Sequence, residues 1–135
     1  GDTDAPSGEQ WPIGEEAGEA RNLADQLAVK LEVPCSEGTD YLQCKEIVSL
    51  HADGSYTEIR CLRGRSRVVS RNLNRLLALV PPRIFFRCHR SHAINLWHME
   101  RLIRKDGFLA CLHGDIMVPV SVRQWSKLRE ALRKF

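Results

Sequence analysis

The apolar positions of this chain change their period as it proceeds. Ala20, Leu23, Ala24, Leu27 and Leu31 fall at the three-and-four spacing of one helix face, with Glu15, Glu16 and Glu19 at the end where a helix dipole favours acids. This predicts an amphipathic helix over residues 15–28. Three settings suit it: packing on the following domain, pairing with its copy in another chain, or continuing an upstream linker. From Val29 the period becomes two, as Val29, Leu31 and Val33 alternate with Lys30 and Glu32 until Pro34 and Ser36-Glu37-Gly38 break the run. Further extended runs are predicted at 41–44, 46–51, 56–62, 65–70, 85–89, 99–104, 108–112 and 116–120. Asp53-Gly54, Arg63-Gly64, Asp106-Gly107 and His113-Gly114-Asp115 each offer the positive backbone angle of a hairpin turn.

Two helical patterns interrupt these strands. Leu73, Leu76, Leu77 and Val80 form one stripe, ended by Pro81-Pro82. Trp125, Leu128, Leu132 and Phe135 form another, with Ser121 placed as its N-cap and Arg123, Lys127, Arg129, Arg133 and Lys134 on the opposite face. Short strands separated by Gly turns, with helices in the middle and at the end, predict a mainly β, mostly antiparallel fold.

Length and composition narrow the class. A chain of 135 residues with 43% apolar and 27% charged residues is that of one ordinary globular domain. No stretch approaches 18 uncharged apolar residues and no signal-peptide pattern stands at the start, so the reading assigns no membrane contact to these residues. The first residue is Gly1, which suggests processing or trimming and an upstream domain out of view. Cys35, Cys44, Cys61, Cys88 and Cys111 are odd in number, scattered and without any CxxC. That pattern builds neither a disulfide framework nor a zinc ribbon, and it favours the cytoplasm, with Cys61 and Cys111 as small buried hydrophobes.

The net charge of +3 conceals a division. Residues 1–40 carry ten acids against Arg21 and Lys30, a net of −8, whereas residues 41–135 carry 18 bases against seven acids, a net of +11. A basic block behind an acidic segment favours an anionic partner for the block. Arginine outnumbers lysine 15 to five, and its planar fork suits phosphates and guanine edges. Pro6, Ser7, Gly8, Pro12 and Gly14 mark residues 1–14 as a disordered leader. Residues 15–40 are then an acidic helix with a linker and first strand, and 41–135 the basic domain.

The densest chemistry lies at Phe85-Phe86-Arg87-Cys88-His89-Arg90-Ser91-His92-Ala93-Ile94-Asn95, where polar side chains follow an apolar strand without a gap. It reads as a recognition loop. Arg90 can fork onto guanine or phosphate, while His89, Ser91 and Asn95 either donate to phosphate oxygens or hold the loop from inside. An enzyme built on His89, Ser91 and Cys88 lacks a nearby acid to orient the imidazole. A metal held by Cys88, His89, His92 and His98 would need neighbouring strand residues, which point to opposite faces, to converge. No GxGxxG or P-loop is present, and no cofactor is implied.

These motifs carry a resemblance. Residues from about 41 to 135 are similar to the LytTR-type DNA-binding domain of bacterial transcription regulators, found mostly in two-component response regulators and in some membrane-linked ones. The family's Phe-x-Arg-x-His-Arg-Ser run and its following Val/Ile-Asn pair appear within Phe85-Phe86-Arg87-Cys88-His89-Arg90-Ser91 and as Ile94-Asn95. Its later element appears as Val118-Pro119-Val120-Ser121-Val122-Arg123, and its earlier strand and turn as Ile47 through Ala52-Asp53-Gly54-Ser55-Tyr56. The resemblance implies about ten short strands in stacked small sheets, with a short mid-chain helix and a C-terminal helix, to which the N-terminal helix is an addition. It also implies loops, rather than a recognition helix, in successive major grooves of bent DNA.

Carried over by position, the implied DNA contacts are the turn of Asp53, Ser55 and Tyr56, Arg90 with Ser91, and Ser121 with Arg123; the residue chemistry adds His89, Asn95 and Lys127 as candidate DNA-binding residues. Arg90 and Arg123 are assigned to base edges, and Ser91, Ser121 and Lys127 to phosphates. Tyr56 either touches DNA or stacks inside the sheet. His92 stands where the family has an aromatic residue and Val122 where it often has a basic one. The expected partner is double-stranded promoter DNA carrying direct repeats, bound by one or two copies, with a sensor or receiver domain upstream. The competing reading is a protein-interaction or regulatory domain of the same fold that has lost DNA binding or masks it, with the acidic residues 1–40 over the basic face.

Overall fold

The computed structural model describes residues 22–135. The leader and the first part of the predicted helix, residues 15–21, lie outside the described residues. Asn22 is extended and caps a helix α1 (Leu23–Leu27), its side chain accepting the Asp25 N–H at 2.8 Å, so the helix begins there rather than running unbroken from Glu15. Strands β1 (Lys30–Cys35) and β2 (Gly38–Gln43) pair antiparallel as a hairpin. The second of them starts three residues before the run predicted at 41–44, because Gly38 and Thr39 pair with Cys35 and Pro34 across the turn.

After a single 3-10 turn come β3 (Ile47–Asp53), β4 (Tyr56–Cys61), β5 (Ser66–Val69) and helix α2 (Leu73–Leu77). Asn72 caps α2 by accepting the Arg75 N–H at 2.9 Å. Strands β6 (Phe85–His89) and β7 (His92–Asn95) follow, then β8 (Met99–Arg104), β9 (Phe108–Leu112), β10 (Ile116–Pro119) and the terminal helix α3 (Val122–Lys134). The ten strands among the described residues form a central five-stranded sheet in the order β5-β4-β3-β7-β6, a three-stranded sheet β10-β9-β8 and the β1-β2 hairpin, every pairing antiparallel. The fold is mainly β with stacked small sheets, a short middle helix and a C-terminal helix, in agreement with the expectation.

The central sheet is covered on both faces around β3, whose Val48, Ser49 and Leu50 are all buried. On one side Leu27 of α1, Leu31 and Val33 of β1 and Leu73 and Leu76 of α2 pack with Leu50 and Ile59. On the other, Val48 and Ile94 meet Ala110, Leu112, Val118 and, from α3, Leu128. Leu128 is fully enclosed, so Leu128→Ala is worth about 2 to 5 kcal/mol of stability. Cys44 and Cys61 lie in the first of these cores and Cys88 in the second, Cys111 is buried outside both, and only Cys35 is exposed. Burial pushes the Cys44 thiol up to about 11 and the Cys88 thiol up to about 12, which leaves both as unreactive packing groups.

Candidate nucleic-acid interface

Three polar segments meet at one end of the central sheet. The first is the turn Gly54-Ser55, closed by the pairing of Asp53 with Tyr56 and made possible by a φ of 64° at Gly54. The second is the two-residue turn Arg90-Ser91, closed by the pairing of His89 with His92. Because β7 runs antiparallel to β3 with His92 opposite His51, this turn projects from the same end as the first. The Ala52 N–H donates to the Ser91 carbonyl at 2.8 Å and locks the two together.

The third segment is the start of α3. Ser121 accepts the Gln124 N–H on its hydroxyl at 3.3 Å, while its own N–H donates to the Cys88 carbonyl at 2.9 Å. The helix therefore begins beside the end of β6, next to the Arg90 turn. Arg87, His89, Arg90, Ser121, Arg123 and Gln124 line one open cleft of about 340 Å³. Arg90 and Arg123, far apart in the chain, share that cleft, and Lys127 is exposed one turn further along α3. Among the described residues, the side chains of Arg90, Arg123 and Lys127 form no ion pair, whereas Arg133 and Lys134 are both held by Glu130.

The remaining candidate residues divide between surface and support. Asp53 and Ser55 are exposed, and Tyr56 is 52% exposed, which takes its ring out of the sheet interior. His89 accepts the Ser91 N–H on Nδ1 at 3.1 Å, so this imidazole shapes the turn from within. That bond also occupies the nitrogen that a hydroxyl–imidazole–carboxylate line would need. Among the described residues no group of His, Cys, Asp and Glu is placed to hold a metal ion.

Asn95 is corrected. It is 0% exposed, and its amide donates to the carbonyls of Cys44 at 3.1 Å and Ile47 at 2.8 Å while accepting the Trp97 N–H at 2.8 Å. With three backbone partners inside the protein it clamps the β2–β3 connection to the end of β7 and has nothing left for DNA.

The recognition loop read in the stretch Phe85 to Asn95 is only the two-residue turn Arg90-Ser91, since His92–Asn95 is strand β7. Within it His92 stacks on His51 with ring centroids 4.4 Å apart and planes 1° from parallel, and meets His89 edge-on at 5.3 Å. Burial first, then the neighbouring His51, His89 and Arg60, pull the His92 pKa down to about 4. It is neutral near pH 7 and supplies packing rather than charge.

Arg87 had no role in the sequence reading. Its guanidinium donates to the Asn74 side chain on α2 and to the Arg90 carbonyl, so it braces the turn from below. No sequence period signals it, because a bulge between Arg87 and His89 interrupts the alternation of β6 and the partner Asn74 lies on another element.

No curated protein matches this chain. Among solved structures, one described as a LytTr DNA-binding domain of a methyl-accepting/DNA response regulator from Bacillus cereus superposes with a TM-score of 0.67 at 23% identity, covering 77% of this chain and 96% of that one. That likeness establishes a shared fold. The family model of the LytTr DNA-binding domain matches residues 38–133, well over half of the chain, and the chain accordingly belongs to the LytTr DNA-binding domain family.

Proposed function

We propose that this domain binds double-stranded DNA in a sequence-specific manner as the output module of a bacterial transcription regulator. The observation that carries the reading is the shared cleft of Arg90 and Arg123 at the sheet end that also bears the Gly54-Ser55 turn. Guanidinium forks on two short supports suit base edges in a major groove, where Arg pairs with guanine O6 and N7. Ser91, Ser121 and Lys127 flank them as phosphate donors, and Asp53, Ser55 and Tyr56 reach a neighbouring stretch of the duplex. His89 sets the turn, and Asn95 is withdrawn from the contact set. Loops placed in successive grooves, promoter direct repeats, two copies on one site, a sensor or receiver domain upstream and a cytoplasmic setting complete the proposal. No helix among the described residues is long and apolar enough to cross a membrane.

The test is a fluorescence titration of the chain against duplexes selected from a random pool. Binding should weaken steeply with salt, with a log–log slope near −5 if about six phosphates are engaged. Absence of binding at low salt to every selected duplex overturns the reading.

The division of charge favours a second reading, in which the acidic residues 1–40 compete with DNA for the basic face. Deletion through Ala28 would remove the buried Leu27 and confuse loss of masking with loss of packing. Neutralising Glu15, Glu16 and Glu19 to Gln is the cleaner variant: a several-fold gain in DNA affinity supports masking, and unchanged affinity removes it.

A further inference from the structure

Val122 is the large apolar side chain most open to solvent among the described residues, at 75% exposure. It is the first residue of α3, set between the N-cap Ser121 and Arg123, both of which line the Arg90 cleft. Packing does not explain it, because α3 is anchored by other residues. Leu128 is fully buried, Trp125 packs on Phe108 with ring centroids 4.6 Å apart, and Trp125 and Leu132 join the core between the sheets. Helix formation does not ask for it either, since a β-branched residue at an exposed position is a poorer helix former than Ala, Lys or Glu. An isopropyl group is therefore held in water at the point where two DNA-directed side chains begin.

Major-groove edges offer one apolar feature to such a group, the C5-methyl of thymine. We infer that Val122 is a specificity-determining residue that reads a thymine methyl beside the base contacted by Arg123. This rests on the DNA-binding reading above. The assignment follows from neighbours and chemistry. Ser121 and Arg123 address phosphate and base edge, and the side chain between them, rigid about its first torsion, is left to meet the carbon surface of the same groove. A basic residue at position 122 would add a phosphate contact without base preference. Valine exchanges that for discrimination between thymine and the bases that lack the methyl.

The experiment replaces each thymine of a selected duplex, one at a time, by deoxyuridine, which removes the methyl and keeps the base pair. The full chain and its Val122→Ala variant are titrated on every duplex. For the parent protein, deoxyuridine at one position should weaken binding about 3- to 10-fold. Val122→Ala should bind the all-thymine duplex weaker by a similar factor and lose sensitivity at that same position. Equal deoxyuridine sensitivity in parent and variant, or none at any position, overturns the inference while leaving salt-dependent DNA binding intact. Failure of the parent to bind any duplex overturns it together with the DNA reading. Because Val122 touches no core, unchanged thermal melting of the variant identifies an affinity effect as one of contact.

Discussion

The Ser121 N–H donates to the Cys88 carbonyl at 2.9 Å, and this bond ties the first turn of α3 to the strand that carries Arg90. Cys88 is fully buried beneath it, and its thiol lies 3.6 Å from the Pro119 carbonyl on the approach to the helix. Two guanidinium groups from separate parts of the chain thereby acquire a common rigid base. Holding both without further ordering reduces the entropy lost on binding a duplex.

The division of labour at the cleft predicts distinct signatures. Arg90→Ala and Arg123→Ala should each cost about 1 to 3 kcal/mol on a selected duplex and relax base choice nearby. Lys127→Ala should weaken selected and random duplexes alike and make the salt slope shallower by about 1. Parallel titrations on the two kinds of DNA check this, and equal losses for all three variants on both contradict it.

Arg87 should matter for affinity without touching a base. Its bonds to Asn74 and to the Arg90 carbonyl hold the turn, so Arg87→Met should reduce binding several-fold, with the same base preferences as the parent. Once Arg87 is gone, adding Asn74→Ala should change little, because both act on one contact. A double-mutant cycle of DNA affinities measures this, and fully additive losses speak against the brace.

Asn95 separates stability from recognition. Asn95→Ala leaves the buried Cys44 and Ile47 carbonyls and the Trp97 N–H short of partners, for a loss of about 2 to 4 kcal/mol. Urea unfolding measures the loss. Affinity per folded molecule should stay at the parent value, and a stable variant that binds DNA poorly contradicts the clamp.

How far these roles can be read from sequence depends on what kind of constraint each residue answers. Gly54 announces its turn because φ near 64° excludes most side chains, and Ser121 announces α3 because an N-cap favours a short side chain with an oxygen acceptor. Strand β7 was hidden: it has four residues, begins with His92 and ends with Asn95, too short and too polar for a period of two to stand out. Asn95 stays open between two roles in the sequence because a buried clamp and a ligand contact require the same amide, and only burial tells them apart. The 15–28 stripe is continuous in sequence, yet Asn22 is extended and caps α1 within it, since an Asn side chain bonds the backbone ahead of it more readily than it continues a helix. Arg87 escaped notice because its partner Asn74 belongs to another element.

The stacked imidazoles predict an acid-side loss of stability. With its folded pKa near 4, below the ordinary value of 6.5, His92 takes up a proton in the unfolded chain before it does so in the folded one. Its contribution is complete above about pH 6.5 and is lost as the pH falls toward 4. His92→Phe should flatten the decline of the urea midpoint over that window, although His98, whose pKa is also lowered by burial, retains part of it. Identical pH profiles for parent and variant contradict the assignment.

Guanine N7-methylation interference tests the central claim most directly, because it marks major-groove contacts base by base. On a selected duplex the parent chain should show two separate groups of guanines whose methylation blocks binding. Arg90→Ala should erase one group and Arg123→Ala the other. A single group lost equally in both variants, or interference confined to adenine N3 in the minor groove, would contradict two arginines gripping the major groove from one cleft.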